Sequence, residues 1–174
     1  MVNFGIVYGI TAFGLARRLG VSNAAADEII TNYKRRFSGI TTFLHECVEQ
    51  ARRFGYVETI LKRRRPIPDI DSSNPSRRAF AERTAINSVV QGSAADLIKL
   101  AMVNLLPPPK DSAPGPLGKA RMLLQIHDEL VFECPEPDAP AARDTIVVAM
   151  ESAMTLTVPL RVDAHLGRNW FEGK

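Results

Sequence analysis

Cysteine is scarce in this sequence: its 174 residues include only Cys47 and Cys134, which stand far apart. A secreted domain stabilised by disulfides would have more cysteines at closer spacing, so we exclude that class. The residues after Met1 do not show the basic and apolar pattern of a signal peptide either. We therefore expect a reducing, cytoplasmic location.

Long apolar runs are absent as well. The longest apolar stretch, residues 122–131, is interrupted by Gln125, His127, Asp128 and Glu129. A membrane span needs roughly 20 apolar residues in succession, so we exclude a membrane protein and expect no membrane partner. The hydrophobic fraction of 45% is nevertheless sufficient for a globular chain with a buried core.

Positive charge is present but unevenly distributed. The net charge of the chain is only +3, whereas residues 52–83 contain nine basic and four acidic side chains, a local net charge of +5. A compact basic stretch in an otherwise nearly neutral chain is typical of a protein that binds a polyanion. An ordinary solvated surface is the alternative, and charge alone does not decide between them.

Helix signals dominate the chain. Ser22 is a suitable N-cap, Gly55 a suitable helix end and Pro75 or Ser76 a suitable helix start. The order of the elements predicts an α+β fold with an antiparallel sheet. The predicted elements are helices over 1–18, 24–37 and 41–53, an extended segment over 56–61, a long helix from 75 or 76 to about 106, a proline-rich loop over 107–119, a hairpin with strands 121–126 and 129–134, a helix over 139–156 and a strand over 159–166.

Two adjacent carboxylates, Asp128 and Glu129, stand between two apolar segments of β type. If they are buried or half-buried at the turn, they repel each other unless a cation neutralises them. Hard oxygen ligands favour Mg²⁺, which takes one or two protein carboxylates and completes its shell with water and phosphate oxygens. The pattern predicts a metal-assisted phosphoryl or nucleotidyl transfer site. An ordinary acidic turn is the alternative.

A row of hydrogen-bonding side chains follows one face of the long helix. Arg83, Asn87 and Gln91 are spaced four residues apart and so lie above one another. Donors at this spacing suit a phosphate track or a minor groove, whose acceptors are shared by every correct base pair. A polar seam between packed helices is the alternative.

Four segments together resemble family A DNA polymerases, the DNA polymerase I type. Residues 3–9 are similar to the second half of the family's fingers helix, motif B, and residues 125–131 to its motif C. Residues 55–69 are similar to the segment after motif B, and residues 81–96 to the helix between fingers and palm. The resemblance implies a fingers-like helical segment over 1–82, incomplete at its amino terminus, and a palm-like segment over 83–174 with the motif C hairpin.

The resemblance also implies a role for each motif residue. Asp128 and Glu129 would be the catalytic and metal-binding carboxylates, for two Mg²⁺ ions in the complete enzyme. Phe4 would lie against the sugar and phosphates of the incoming nucleotide, and Tyr8 in the template-side stacking position. The residues that would contact primer-template DNA are Arg63, Arg64, Arg65, Arg83, Asn87, Gln91 and His127.

Parts of the family pattern are missing from this sequence. The Arg and Lys that grip the triphosphate at the start of motif B have no counterpart, and neither has motif A with its second metal-binding aspartate. We therefore expect the carboxy-terminal fragment of a DNA-templated DNA polymerase, inactive alone, with primer-template DNA and dNTP as partners. The complete enzyme is expected to be a monomer in the cytoplasm, associated with the nucleoid. The alternative is a nucleic-acid-binding remnant without catalysis.

Overall fold

A computed structural model describes residues 2–106 and 117–173 of the chain. Helices predominate, and the strands form two separate two-stranded antiparallel sheets, so the predicted α+β class is confirmed. Within the described ranges, none of the helices combines the length and the apolar character that a transmembrane span requires. Most of the predicted proline-rich loop, residues 107–116, lies outside the described residues.

The chain divides into two compact units, residues 1–93 and 94–174. The division into fingers-like and palm-like segments at residues 82 and 83 stays a prediction. In the first unit, Ser22 begins a helix as predicted, since its hydroxyl accepts the Ala25 amide at 3.2 Å. The helices of this unit are α1 (Val2–Val7), α2 (Ala12–Leu19), α3 (Asn23–Arg36), α4 (Ser38–Phe54) and α5 (Pro75–Leu105), of which α5 continues into the second unit.

The single helix predicted over residues 1–18 is wrong. Gly9 adopts φ +77°, a left-handed conformation that ends the first helical segment. Thr11 then begins α2, because its hydroxyl accepts the Gly14 amide at 3.1 Å. The spacing of Phe4, Tyr8 and Leu15 is compatible with one helix, but the backbone at Gly9 divides it into two.

An apolar cluster packs α1, α2 and α3 against each other. Its buried members include Ile6 on α1, Leu15 on α2 and Ile30 on α3. Burial of such side chains stabilises a fold by roughly 1.5 to 3 kcal/mol each. The amino-terminal helices therefore form a packed layer rather than separate segments.

A short antiparallel sheet follows α4. Its strands are β1 (Tyr56–Glu58) and β2 (Arg64–Pro66), and its register pairs Val57 with Arg65. Val57 is buried in a second apolar cluster with Ala51 of α4 and Ala85 of α5, so the sheet packs on both helices. The extended segment predicted from residue 56 is confirmed, although the strand ends at Glu58.

The second unit contains the remainder of α5, a hairpin and one more helix. The hairpin strands are β3 (Arg121–Ile126) and β4 (Glu129–Glu133), as predicted to within one residue. A single 3₁₀ turn (Glu136–Asp138) leads into α6 (Ala139–Glu151), which is shorter than the helix predicted over 139–156. The register pairs Ile126 with Glu129 and is irregular between Met122 and Leu124.

The strand predicted over residues 159–166 is wrong, because the structure shows irregular backbone there. The amide of Val162 donates to the Glu151 carboxylate at 3.1 Å instead of to a strand. β-branched residues favour a strand only where a neighbouring strand completes the ladder. Among the described residues, neither sheet offers this segment such a neighbour.

Candidate functional site

The turn between β1 and β2 presents a cluster of basic side chains. We define the basic turn as residues 59–65, which include Lys62, Arg63, Arg64 and Arg65. The turn closes through the amide of Thr59, which donates to the Arg63 carbonyl, and the amide of Lys62, which donates to the Thr59 carbonyl, both at 2.9 Å. The four cationic side chains are all exposed, so the turn presents them to solvent.

Glu58 neutralises part of this charge. Its carboxylate accepts from Arg64 Nε at 3.1 Å and lies 3.6 Å from Lys62 Nζ. The Arg64 guanidinium also lies over the Tyr56 ring, 4.6 Å from the centroid. The Arg65 side chain makes no hydrogen bond or ion pair within the part of the chain that the structure describes. Arg65 is therefore more available than Arg64 to an external anion.

Arg52 is another basic residue of the charged stretch that has acidic partners. Its guanidinium contacts Glu49 at 2.8 Å and Glu82 at 2.7 Å, which connects α4 to α5. The hydrogen bond to Glu49 is the main cause that raises the pKa of Arg52 further above its ordinary value. Part of the positive charge of residues 52–83 is therefore already paired with carboxylates of the protein itself.

Residues of α5 position the basic turn. Ser93 Oγ accepts the Ile60 amide at 2.9 Å and donates to the Val89 carbonyl at 2.6 Å. At Gly92 a Cβ atom would lie only 2.6 Å from Cγ2 of Thr59. Sequence reasoning did not identify Thr59, Gly92 or Ser93, although a glycine inside a long helix is a signal of close packing.

The α5 row, which we define as Arg83, Asn87 and Gln91, lies beside this turn. Gln91 directly precedes Gly92 and is exposed, as is Arg83, whereas Asn87 is half-buried. Asn87 Oδ1 has no hydrogen-bond partner among the described residues, which argues against a fully satisfied polar seam. The row stays a predicted DNA contact.

The amino-terminal aromatic pair lies at the other end of the α5 row. Phe4 is 69% exposed and stacks with Tyr8, with ring centroids 6.2 Å apart and planes at 20°. Tyr8 precedes Gly9, and a Cβ at Gly9 would lie 3.4 Å from Cγ of Arg83. The first unit therefore brings the aromatic pair, the α5 row and the basic turn onto connected elements.

The hairpin tip, which we define as His127, Asp128 and Glu129, lies in the second unit. His127 has φ +54°, and a positive φ at the first of two loop residues is typical of tight hairpin turns. The side-chain amide of Gln125 donates to the His127 carbonyl at 3.0 Å. All three tip residues are exposed, so solvent screens the repulsion between the two carboxylates.

The donor set at the hairpin tip suits Mg²⁺ in part. Asp128 and Glu129 provide hard oxygen ligands, and Mg²⁺ commonly uses one or two protein carboxylates. Across residues 2–106 and 117–173, no three His, Cys, Asp or Glu side chains are grouped so that they could hold a metal ion. The tip therefore fits as part of a larger ligand set. Depressions of about 400 and 320 Å³ in the second unit do not include the two carboxylates.

Comparison with known sequences shows the family. Residues 1–172 match the sequence family described as DNA polymerase family A. The chain belongs to DNA polymerase family A. It is 48% identical over 174 residues to DNA polymerase I of Streptococcus pneumoniae serotype 4, covering 99% of this chain and 19% of that protein. It is also 48% identical over 175 residues to DNA polymerase I of Rhizobium leguminosarum, covering 98% of this chain and 17% of that protein.

A solved structure of the same family shows a similar fold. The structure described as the POL domain of Pol1 from M. smegmatis, in complex with DNA primer-template and dNTP, matches with a TM-score of 0.86 and 39% identity. The match covers 99% of this chain and 30% of the M. smegmatis chain. This family A chain thus spans about a fifth of the length of its curated relatives and less than a third of that polymerase domain chain.

Proposed function

We propose that this chain provides the fingers and palm residues of a DNA-templated DNA polymerase. In this reaction the 3′ oxygen of the primer forms a bond to the α-phosphorus of a dNTP. The bond from that phosphorus to the bridging oxygen of the β-phosphate breaks, pyrophosphate leaves, and the hydroxyl proton is released. The family match over residues 1–172 supports this proposal most, because it includes the hairpin tip with its two carboxylates.

Asp128 and Glu129 have the main catalytic roles in this proposal. Asp128, at the hairpin tip, would hold Mg²⁺, and Glu129, the first residue of β4, would support the same site. When bound, Mg²⁺ stabilises charge on the attacking and leaving oxygens. His127, which precedes the proposed metal ligand Asp128, would lie near the primer terminus.

A centre for two Mg²⁺ ions would need carboxylates from motif A as well as from motif C, and the hairpin tip supplies only those of motif C. The described residues contain no third ligand near enough. We therefore propose that the chain acts with a segment that carries motif A, and that it extends no primer by itself. In that setting we expect a monomeric enzyme at the nucleoid.

The first unit would bind the substrates. Phosphates of the primer-template duplex would meet the basic turn, where Arg63, Arg64 and Arg65 position DNA without reading its sequence. The α5 row would face the minor groove. Phe4 would lie against the dNTP, and Tyr8 would occupy the stacking position of the template base.

Titration of the isolated chain with a primed duplex tests the DNA-binding part. Weak binding is expected, with a logarithmic affinity that falls linearly with the logarithm of salt, by about 0.9 per phosphate neutralised. The same protein should extend no primer. An affinity independent of salt would contradict the phosphate contacts, and primer extension by the isolated chain would contradict the need for a further carboxylate.

A further inference from the structure

Gly92 is unusual because it lies near the middle of α5, the longest helix of the described residues, without interrupting it. Glycine inside a helix is about 1 kcal/mol less favourable than alanine, so helix propensity does not explain it. The structure offers a steric reason, since a Cβ at this position would lie 2.6 Å from Cγ2 of Thr59. Cβ atoms in proteins do not approach other atoms so closely, and the neighbour would have to move.

Thr59 cannot move its methyl group independently. The residue is only 8% exposed, and its Oγ1 accepts the Arg63 amide at 3.1 Å. Methyl and hydroxyl are attached to the same Cβ, so a rotation that removes the methyl from Gly92 also removes the hydroxyl from Arg63. The close approach at Gly92 is therefore coupled to the backbone of the basic turn.

Ser93 adds a second connection to the same turn. Its hydroxyl accepts the Ile60 amide at 2.9 Å, while its own proton goes to the Val89 carbonyl at 2.6 Å. The helix thus contacts the turn by packing at one residue and by a hydrogen bond at the next. Both contacts come directly after Gln91, the last member of the α5 row.

We propose that Thr59, Gly92 and Ser93 are positioning residues that fix the basic turn beside Gln91. In this arrangement Arg65 and Gln91 address one DNA duplex as parts of a single rigid surface. Fixing the turn before binding removes much of the entropy loss that a mobile loop would undergo on binding. The inference rests on the DNA-binding part of the proposed function and adds to it the residues that hold the surface in place.

A pair of substitutions tests the contact itself. Gly92→Ala should displace the Thr59 methyl and raise amide hydrogen exchange at Ile60 and Arg63 by about tenfold or more, since local opening sets that rate. Thr59→Ser deletes the methyl but keeps the hydroxyl, so the double variant with Gly92→Ala should restore slow exchange. Gly39→Ala is the matched control, because a Cβ at Gly39 meets nothing within 4 Å.

The same variants test the positioning role. Gly92→Ala should weaken binding of a primed duplex by about three- to tenfold through the lost preorganisation, and the Thr59→Ser double variant should recover most of that affinity. Gly39→Ala should bind as the unmodified chain does. If Gly92→Ala does not fold, Ser93→Ala removes the Ile60 acceptor without adding an atom and should show the same two effects.

The outcomes separate the inference from the proposed function. Unchanged exchange at Ile60 in Gly92→Ala, or a double variant that remains impaired, would overturn the steric contact. Faster exchange without loss of DNA affinity would overturn the positioning role. If the unmodified chain binds no DNA, the proposed DNA binding is refuted instead. The amide hydrogen exchange rates would still test the contact between Gly92 and Thr59.

Discussion

Lys62 illustrates how one residue can have an unfavourable backbone conformation in a surface turn. Its φ of +65° lies in the left-handed region, which a side chain with a Cβ adopts only at a cost of roughly 1 to 2 kcal/mol. Glycine adopts this conformation without that cost, so the positive φ favours glycine over lysine at this position. The basic turn thus keeps an additional cation at the expense of local strain.

We predict that Lys62→Gly is more stable than Lys62→Ala by about 1 kcal/mol, because both remove the same charge and only glycine removes the strain. Urea unfolding of the two variants measures the difference in the free energy of unfolding. Equal stabilities would show that the left-handed conformation at this residue is not strained.

Cys47 is a buried residue whose thiol has a raised pKa. The side chain is 4% exposed, and burial, with a contribution from Glu46, raises the pKa of its thiol from 9.0 to about 11. The folded state therefore retains this proton at pH values where the unfolded chain has lost it. The contribution of Cys47 to stability is complete below pH 9 and falls as the pH rises from about 9 to 11.

We predict that iodoacetamide at pH 8 modifies Cys134, which is partly exposed, and leaves Cys47 unmodified in the folded protein. Mass spectrometry of the peptides measures both sites, and urea-unfolded protein is the control in which both react. Rapid modification of Cys47 under native conditions would contradict its burial.

At the scale of elements, local signals were sufficient for several helices. Ser22 begins α3 and Pro75 begins α5 as their side-chain and backbone chemistry predicts. The same kind of signal failed for residues 159–166, where the composition favours a strand but the described part of the chain supplies no strand to pair with. The break at Gly9 was also missed, since the apolar spacing on either side of it fits a continuous helix.

The β1–β2 hairpin shows why the candidate site was only partly predictable. The sequence identified its arginines by their charge. It did not reveal that Glu58 pairs with Arg64, or that Thr59 packs on Gly92, because these relations depend on strand register and on a helix distant in sequence. The residues proposed to bind DNA can be recognised from their type, whereas those proposed to position them can be recognised only from the fold.

We predict that Arg65→Ala lowers the salt dependence of DNA binding more than Arg64→Ala does. The Arg65 side chain has no hydrogen-bond or ion-pair partner within the described residues. Its loss should therefore remove about one phosphate contact, which changes the slope of log affinity against log salt by roughly 0.9. Arg64 already pairs with Glu58 at 3.1 Å and stacks on Tyr56, so its loss should change the slope less.

Arg35→Ala is the control for that comparison, since Arg35 is exposed on α3, outside the basic turn and the α5 row. It should leave the slope nearly unchanged. Anisotropy titrations of a labelled primed duplex over a range of salt concentrations measure all three variants. A larger effect of Arg64→Ala than of Arg65→Ala would mean that the ion pair with Glu58 does not persist in the complex.

At the scale of the whole molecule, the chain presents two chemically different surfaces on two compact units. The first unit offers cations, amides and aromatic rings, which suit DNA and a nucleotide. The second offers an exposed pair of carboxylates at a hairpin tip, which suits a hard cation. Sequence motifs predicted both sets of residues and also the lack of a second metal-binding aspartate, whereas the exposure of the two carboxylates emerged only from the structure.

We propose that this chain supplies a catalytic carboxylate to a DNA polymerase, and primer extension by a chimeric enzyme can show whether it does. In the chimera this chain replaces the 48% identical segment of the Streptococcus pneumoniae polymerase. Primer extension is measured for the unmodified chimera, for Asp128→Asn, and for Asp163→Asn, which changes another exposed aspartate. We expect the unmodified chimera and Asp163→Asn to extend a primer, and Asp128→Asn to be slower by at least about 100-fold with unchanged DNA binding. Extension by Asp128→Asn at the unmodified rate, or a folded, DNA-binding chimera that extends no primer, would contradict it.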